Sequence, residues 1–151
     1  MQTKDSVKKI LVIHGPNLNM LGKREPEIYG SMALDEINSN LKKLGDKLNL
    51  DIETFQSNHE GAIVDKIQKA FEKCKGVIIN PAAYTHTSIA VRDALLLLDV
   101  PIIEIHLSNI YQREAFRHKS FISDIAAAQL AGFGHMGYNM ALKAMAEMIK
   151  D

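Results

Sequence analysis

The stretch GVIINPAAYTHTSIAVRDALLLLDVPIIEIH, residues 76–106, decides the fold because it contains a complete strand–helix–strand unit. GVIIN at 76–80 and PIIEIH at 101–106 are short, β-branched apolar runs, which are typical of buried strands. Two strands that are joined through a helix run parallel in one sheet. Residues 87–98 between them predict that helix, and the side chains expected to be buried there are Ile89, Ala90, Leu96 and Leu97.

The rest of the chain repeats this alternation. The apolar run from Ile10 to Ile13 and the alternating segment at 50–56 predict two earlier strands. Residues 125–133 are ambiguous by periodicity, but the order of elements favours a fifth short strand there. Five strands with helices on both faces predict an α/β fold with a parallel sheet of flavodoxin-like order, 2-1-3-4-5, in which residues 1–151 form a single domain.

Three further helices are predicted from apolar residues at spacings of three and four. The first runs from Leu34 to Leu48, and the last spans Tyr138 to Ile149. The middle one begins near Ser57 or Asn58, either of which is a suitable cap. The side chains expected to face the core in the middle and last helices are Ile63, Ile67, Ala70, Phe71, Met140, Ala144, Met145 and Met148.

The composition argues against several classes of partner. Eighteen basic residues balance eighteen acidic ones, so no basic surplus suggests a nucleic acid or an anionic membrane. No apolar run approaches the roughly 18 residues of a membrane helix. Cys74 is the only cysteine, so no internal disulfide forms, and the polar start MQTKDSVKK does not resemble a signal peptide. These features predict a cytoplasmic protein with neither a nucleic acid nor a membrane as its partner.

Polar and ionisable residues gather at one edge of the predicted sheet. In sheets of this order, ligands lie beyond the carboxyl ends of the strands, near strands 1 and 3. After strand 1 comes HGPNLNMLGKREPEIYG, residues 14–30, which is far longer than the usual connection. This placement predicts a small-molecule enzyme site built from Tyr, Arg and His. The candidates are Asn17, Arg24, Tyr29, Asn80, His86, Glu104, His106, Arg113 and Arg117.

Each of these candidates also has a structural interpretation. Asn17 and Asn80 suit turns, because an Asn side chain bonds the local backbone and tolerates unusual backbone angles. His86 is placed where it would cap the following helix. Arg113 and Arg117 are four residues apart, which fits the solvated side of a helical turn.

Glu104 and His106 alternate on a strand and therefore point the same way. A carboxylate beside an imidazole orients the ring and favours its protonated form. The pair is either an acid held for catalysis or a buried structural contact.

Four segments resemble a known family. HGPNLNMLGKREPEIYG, FQSNHEG, NPAAYTHTSIAVRDAL and EIHLSNIYQREAFRHKS together closely resemble the type II 3-dehydroquinate dehydratases, and the tail GFGHMGYNMAL is a looser match. The resemblance implies a flavodoxin-like fold, a homododecamer of four trimers, and no cofactor or metal. The implied reaction is the dehydration of 3-dehydroquinate to 3-dehydroshikimate, in the shikimate pathway, by anti elimination through an enolate intermediate.

The resemblance also implies catalytic roles. Tyr29 resembles the base, and Arg24 resembles the cation that favours the ionised phenol and supports the enolate charge. Asn17 resembles the residue that holds a water against the enolate oxygen. His106 resembles the acid that protonates the departing hydroxyl, with Glu104 orienting its ring.

Substrate binding is implied for a second set of residues. The backbone N–H groups of Leu107 and Ser108 are expected to take the carboxylate. Asp93 is expected to reach a neighbouring subunit's site, and Arg113 to close the loop over the ligand. The full implied set is Asn80, His86, Asp93, Leu107, Ser108, Arg113 and Arg117.

The long loop at 14–30 is then expected to be a lid that carries the base, with Gly22 and Gly30 as hinges. Two positions near it depart from the family pattern. His14 stands where many members have Asn or another polar residue, and Ala82 stands where many have Gly. Neither change touches the expected acid or base, so their effect is expected on ligand affinity.

Two other functions suit the same fold. A flavin-binding carrier needs a phosphate loop rich in Ser, Thr and Gly after strand 1, whereas GPNLNMLG is poor in hydroxyls. A receiver-type signalling module needs acidic residues clustered at strand ends to bind magnesium. Here strand 1 ends in His14-Gly15-Pro16 and strand 3 ends in Asn80.

Overall fold

The computed structural model describes residues 7–151, which form one five-stranded sheet with helices on both faces. The strand order is β2-β1-β3-β4-β5 and all neighbours run parallel, so the predicted fold class and order are confirmed. The first six residues of the polar N-terminal segment lie outside the described part of the chain. The strands are β1 (Lys8–His14), β2 (Leu50–Gln56), β3 (Gly76–Asn80), β4 (Ile102–His106) and β5 (Ala128–Ala131).

The predicted helices form, and the long loop contains two short helical turns in addition, a 3-10 turn at Leu18–Met20 and an α-helical turn that begins at Pro26. Pro26 occupies the first position of that turn, where its fixed φ angle suits a helix start. The Ser88 side chain accepts the N–H of Val91 at 2.9 Å and so caps the helix that begins at Ile89. The helices are α1 (Pro26–Tyr29), α2 (Leu34–Lys47), α3 (Glu60–Lys69), α4 (Ile89–Leu96) and α5 (Met136–Met148).

The prediction that Ser57 or Asn58 caps α3 is wrong. His59 occupies the cap position and makes no side-chain capping bond. The Ser57 hydroxyl instead accepts the N–H of His59 at 2.9 Å, which satisfies the turn before the helix. Asn58 is drawn away from the helix, because its side-chain oxygen accepts the N–H of Asn17 in the long loop at 3.0 Å.

Two apolar cores lie on opposite faces of the sheet. Successive strand side chains point to opposite sides, so Val12 faces one core and Ile13 faces the other. α2 and α5 cover the first core, where Leu41 and Met145 are fully buried. α3 and α4 cover the second core, where Leu95 is fully buried.

Several apolar side chains that were expected inside are exposed. The predicted inward side of α4 is wrong, because Val91, Ala94 and Leu95 are buried instead. This helix is apolar on most sides, so its periodicity does not select a face. The exposed side chains are Ile89, Ala90, Leu96, Leu97, Phe71, Met140 and Met148.

The register of the strands brings their carboxyl ends to one edge. His14 pairs with both Gln56 and Asn80, and the last residues of β1, β2 and β3 are therefore level. Gly15 follows directly, and its N–H donates to the Asn80 carbonyl oxygen at 2.8 Å. A Cβ atom on Gly15 would lie 2.4 Å from the Pro81 carbonyl oxygen, so this close approach requires glycine. Within the described residues, no helix has the length and apolar character needed to cross a membrane.

Candidate active site

A cavity of about 40 Å³ lies at this edge and collects most of the predicted site residues. A second cavity of about 40 Å³ adjoins it, and Leu18, Tyr29 and Ala82 line both. Asn17 and Arg24 line the second cavity. The predicted residues that line the first are Tyr29, Asn80, His86, His106, Leu107, Ser108, Arg113 and Arg117.

Two predicted residues do not line either cavity. Glu104 lies behind His106 and has no exposed surface. Asp93 is exposed on α4, so this chain does not bring it to its own cavity. A broader depression of about 1120 Å³ opens at the opposite edge of the sheet, but it contains none of the predicted site residues.

Tyr29 ends α1 and stands between two cationic side chains. The guanidinium carbons of Arg24 and Arg113 each lie 5.4 Å from the centre of its ring. Arg24 comes from the same loop, whereas Arg113 comes from the segment that follows β4. At this distance from the ring centre, both guanidinium groups make cation–π contacts with Tyr29.

Glu104 and His106 form a buried pair. Nε2 of His106 lies 2.5 Å from Oε2 of Glu104. Three hydroxyls also donate to this carboxylate: Thr85 at 2.7 Å, Ser120 at 2.8 Å and Ser123 at 2.7 Å. Burial acts to raise the pKa of Glu104, but the bond and charge of His106 and these hydroxyls bring it below its ordinary value. Glu104 therefore stays ionised, holds Nε2 of His106, and leaves Nδ1 as the ring nitrogen available to a ligand.

The three hydroxyls were not predicted as site residues. Thr85 lies in a 3-10 turn at Ala82–His86, and Ser120 and Ser123 lie in irregular chain about 20 residues after Glu104. No periodic pattern marks such residues. The one available signal was chemical, since a buried carboxylate requires several donors.

His86 is not a helix cap, because Ser88 performs that task. Nδ1 of His86 donates to the Lys119 carbonyl oxygen at 2.8 Å. Its ring lies 6.4 Å from the ring of His106, with only 18° between the two planes. Burial, the largest influence, lowers the pKa of His86 below its ordinary value, so the ring is neutral near pH 7.

The two arginines after β4 both face the cavity, which disfavours a purely solvated role. Nη1 of Arg113 donates to the Ser108 hydroxyl at 3.4 Å. Nε of Arg117 lies 2.5 Å from the Glu114 carboxylate, which steadies the guanidinium at the cavity wall. The adjoining backbone at Leu107 and Ser108 lines the same space.

The long loop is anchored at its start. Asn17 adopts a left-handed conformation with φ 69°, so the turn interpretation of this residue holds. Its N–H donates to Asn58, and Gln56 donates to the Gly15 carbonyl oxygen at 3.2 Å. These bonds fix the first turn of the loop to the end of β2. Tyr29 lies near the other end of the loop, away from these bonds.

Comparison with known proteins gives matches along nearly the whole chain. Residues 8–146 match the family model described as dehydroquinase class II. The 3-dehydroquinate dehydratase of Endomicrobium trichonymphae is 57% identical over 143 residues, which cover 95% of this chain and 100% of that protein. The 3-dehydroquinate dehydratase of Acinetobacter baylyi is 60% identical over 134 residues, which cover 88% and 90%.

Solved structures give the same result. The type II dehydroquinase from Butyrivibrio crossotus is 46% identical, covers 93% of this chain and 98% of that one, and superimposes with a TM-score of 0.90. The type II dehydroquinase from Propionibacterium acnes is 44% identical, with coverage of 93% and 97% and a TM-score of 0.89. The fold, the cavity and the match along nearly the whole sequence lead to one conclusion: this chain belongs to the class II dehydroquinase family.

Proposed function

We propose that this chain is a 3-dehydroquinate dehydratase, a hydro-lyase that converts 3-dehydroquinate to 3-dehydroshikimate in the shikimate pathway. Family membership over residues 8–146 supports the reaction. The structural observation that carries the proposal is that Tyr29 and His106 line the same cavity. A single bound ring therefore has access to a base and to an acid.

Tyr29 is the proposed base. Its phenolate oxygen takes a proton from the carbon beside the substrate ketone, and the electron pair moves into an enolate. Arg24 and Arg113, each 5.4 Å from the Tyr29 ring, stabilise the phenolate before the transfer. Arg24 also supports the enolate charge, and Asn17, which lines the adjoining cavity, holds a water against the enolate oxygen.

His106 is the proposed acid. The ketone then re-forms from the enolate, whose double-bond electron pair moves to make the new carbon–carbon double bond as the neighbouring carbon–oxygen bond breaks. Nδ1 of His106 protonates the departing hydroxyl to give water. Glu104 holds Nε2 at 2.5 Å and so orients the ring with Nδ1 toward the substrate. Proton exchange with solvent then restores Tyr29 and His106 to their starting states. The anti elimination proposed here requires Tyr29 and His106 to act on opposite faces of the substrate ring.

The remaining cavity residues are proposed to bind the substrate. Backbone N–H groups at Leu107 and Ser108 would take the carboxylate, and the nearby arginines favour an anionic ligand. Hydroxyls on the ring would bond to three side chains that reach the same space from β3, the turn after it and the segment after β4. These are Asn80, His86 and Arg117.

The loop at 14–30 is proposed to move as a lid. A cavity of about 40 Å³ is far smaller than the roughly 300 Å³ or more of ordinary small-molecule sites. A substrate ring therefore enters only when Tyr29 and its loop swing outward. Gly22 and Gly30, with φ of 88° and 87°, are the proposed hinges.

Self-association is proposed as part of the function, with a homododecamer of four trimers as the expected assembly. Its support is an exposed stripe on α4 made of Ile89, Asp93, Leu96 and Leu97, here called the α4 stripe. Its three apolar side chains are 56%, 57% and 53% exposed. Asp93 lies among them at helical spacing, where a covering subunit would bring it near a neighbouring site.

A cytoplasmic location is proposed from the amino-acid composition.

The test is an ultraviolet assay of the purified protein with 3-dehydroquinate. Dehydration creates a conjugated enone, so absorbance should rise with time and with enzyme concentration. A second arm adds borohydride during turnover, which traps lysine Schiff bases; we expect activity to survive because none of the lysines within residues 7–151 lines the cavity. No absorbance change at any substrate concentration would contradict the proposed reaction, and inactivation by borohydride would contradict the Tyr29 mechanism.

The two alternatives lack support at this site. Among residues 7–151, no three side chains of the His, Cys, Asp and Glu types converge as metal ligands, which the magnesium site of a receiver module would require. The family match extends over the segments that a flavin-binding carrier would build differently.

A further inference from the structure

Four polar side chains form a hydrogen-bonded chain on the face of the sheet that α2 and α5 cover. Nε2 of His14 lies 2.8 Å from Oδ1 of Asn38, and Nδ1 of His14 lies 2.9 Å from the Tyr138 hydroxyl. Nδ2 of Asn80 lies 3.3 Å from the same hydroxyl. His14, Tyr138 and Asn80 are 0%, 1% and 3% exposed, so water does not replace these bonds.

The direction of every bond in this chain follows from one backbone group. The N–H of Ala82 only donates, and it lies 3.1 Å from the Asn80 side-chain oxygen, so the Asn80 amide nitrogen must face Tyr138. The Tyr138 oxygen accepts from Asn80, and its proton goes to Nδ1 of His14. The proton on Nε2 of His14 then faces the Asn38 oxygen.

This arrangement needs a neutral His14. Burial, which outweighs the bond to Asn38, lowers the pKa of His14 to about 4. The ring is therefore neutral across the physiological range and offers one acceptor and one donor, as the chain requires. Burial also raises the pKa of Tyr138, so its proton is retained.

Of the four hydrogen-bonded side chains, Asn80 alone reaches the cavity. Asn80 lines the cavity together with Tyr29 and His106, whereas His14, Asn38 and Tyr138 do not. The Asn80 nitrogen carries two hydrogens, and the bond to Tyr138 uses one of them. Apolar side chains would fill the interior at less desolvation cost, so a fully satisfied polar chain at this position indicates a task beyond packing.

We propose that Tyr138 and His14 are positioning residues for the substrate: the Ala82 N–H holds the Asn80 oxygen, and Tyr138, held by His14, fixes the Asn80 amide nitrogen so that its second N–H faces a substrate oxygen in the cavity. The proposal rests on the proposed substrate contact of Asn80. It adds two residues, one from β1 and one from α5, to the groups that determine ligand affinity.

A double-mutant cycle on dehydratase kinetics tests this role. Tyr138→Phe removes the hydroxyl that accepts from the Asn80 nitrogen and leaves the amide held only at its oxygen; we expect KM to rise about fivefold with kcat within about twofold, as for a lost hydrogen bond. Asn80→Ala should raise KM at least as much. Tyr138→Phe added to Asn80→Ala should then change KM by less than about twofold, because the group it orients is gone.

His14 gives an independent arm with a conservative rescue. His14→Leu removes the acceptor for the Tyr138 proton and should raise KM severalfold. The Oδ1 atom of an asparagine occupies nearly the position of the histidine Nδ1, so His14→Asn should keep KM close to that of the unchanged protein. Ile67→Val, which removes a methyl group from the core under α3 and lines neither cavity, is the stability control and should leave KM unchanged.

Three outcomes would overturn the positioning role. The first is Tyr138→Phe lowering the urea-unfolding free energy while KM stays unchanged, because the chain would then be structural only. The second is additive effects of Tyr138→Phe and Asn80→Ala on KM. The third is an unchanged KM in Asn80→Ala, which would also remove the Asn80 contact; dehydration by the unchanged protein would show that the proposed reaction itself stands.

Discussion

At the scale of single residues, two polar clusters meet the cavity from opposite faces of the sheet. Glu104 and His106 lie on the face that α3 and α4 cover, and His14 and Asn80 lie on the face of α2 and α5. Both clusters are buried, and in both the polar atoms have partners. Rigid partners of this kind hold reacting groups in place without reorganisation during the reaction.

Tyr29→Phe should remove most turnover while the fold persists. The substitution deletes the proposed proton acceptor, and such groups contribute roughly 100-fold to 10,000-fold in rate. kcat is measured by the enone absorbance, and folding by circular dichroism. Tyr111→Phe, at a side chain 58% exposed, is the matched control and should keep normal turnover. Near-normal kcat in Tyr29→Phe would exclude Tyr29 as the base.

His14 should make the protein less stable in mild acid. The unfolded chain protonates this ring near pH 6.5, whereas burial lowers the pKa in the folded state to about 4. The unfolded state therefore binds more protons in this window, and stability is lost as pH falls through it. The expected loss between about pH 7.5 and pH 5 is about 2 kcal/mol.

Urea unfolding at one fixed protein concentration checks this loss at the two pH values. His14→Asn removes the titrating ring and should unfold with a smaller difference between them. An equal difference in the two proteins would mean that His14 is not the group responsible.

At the scale of elements, the site depends on how closely β1 and β3 approach at their carboxyl ends. Gly15 joins β1 to the long loop, and its N–H bonds to Asn80 at the end of β3. The adjoining Pro81 carbonyl leaves no space for a side chain at Gly15. This junction therefore positions both the loop that carries Tyr29 and the Asn80 amide.

Gly15→Ala should destabilise the fold and weaken substrate binding together. The new Cβ would lie 2.4 Å from the rigid Pro81 carbonyl oxygen, so one of the two strand ends must shift. We expect a loss of about 1–3 kcal/mol in urea unfolding and a higher KM. Gly61→Ala is the matched control, because nothing lies within 4 Å of its Cβ in the first turn of α3. An effect of Gly15→Ala no larger than that of Gly61→Ala would contradict this account.

At the scale of the whole molecule, the single chain leaves apolar surface uncovered. The α4 stripe carries three apolar side chains that are each more than half exposed. Exposed apolar patches of this kind mark interaction surfaces more often than they remain in water. The small size of the cavity belongs to the same scale, because the lid movement proposed to enlarge it involves a whole loop.

Leu96→Glu should disrupt the assembly. A charge at the centre of a buried apolar contact is costly to desolvate, so the particle measured by sedimentation velocity should become smaller. Met148→Glu, at a side chain 42% exposed on α5, is the matched control and should leave the mass unchanged. Sedimentation of the unchanged protein as a single chain of 16.8 kDa would contradict self-association itself.

The sequence was sufficient for the sheet and for most of the cavity lining. Strand and helix signals are local, and parallel strands bring the residues after them to one edge, which is why Tyr29, Asn80 and His106 were predicted together. The Glu104–His106 pair followed from alternation along one strand. The four segments that resemble the type II 3-dehydroquinate dehydratases also indicated the family.

Other features required the tertiary structure. The hydroxyls that bond Glu104 and the contact of His14 with Tyr138 involve residues that lie far apart in the sequence. The exposed side of α4 depends on which parts of the fold pack against that helix. Local periodicity states which residues share a face, but it does not state which partner covers that face. Only the packing of α5 against β1 and β3 places the Tyr138 hydroxyl between His14 and Asn80, because that position depends on three segments at once.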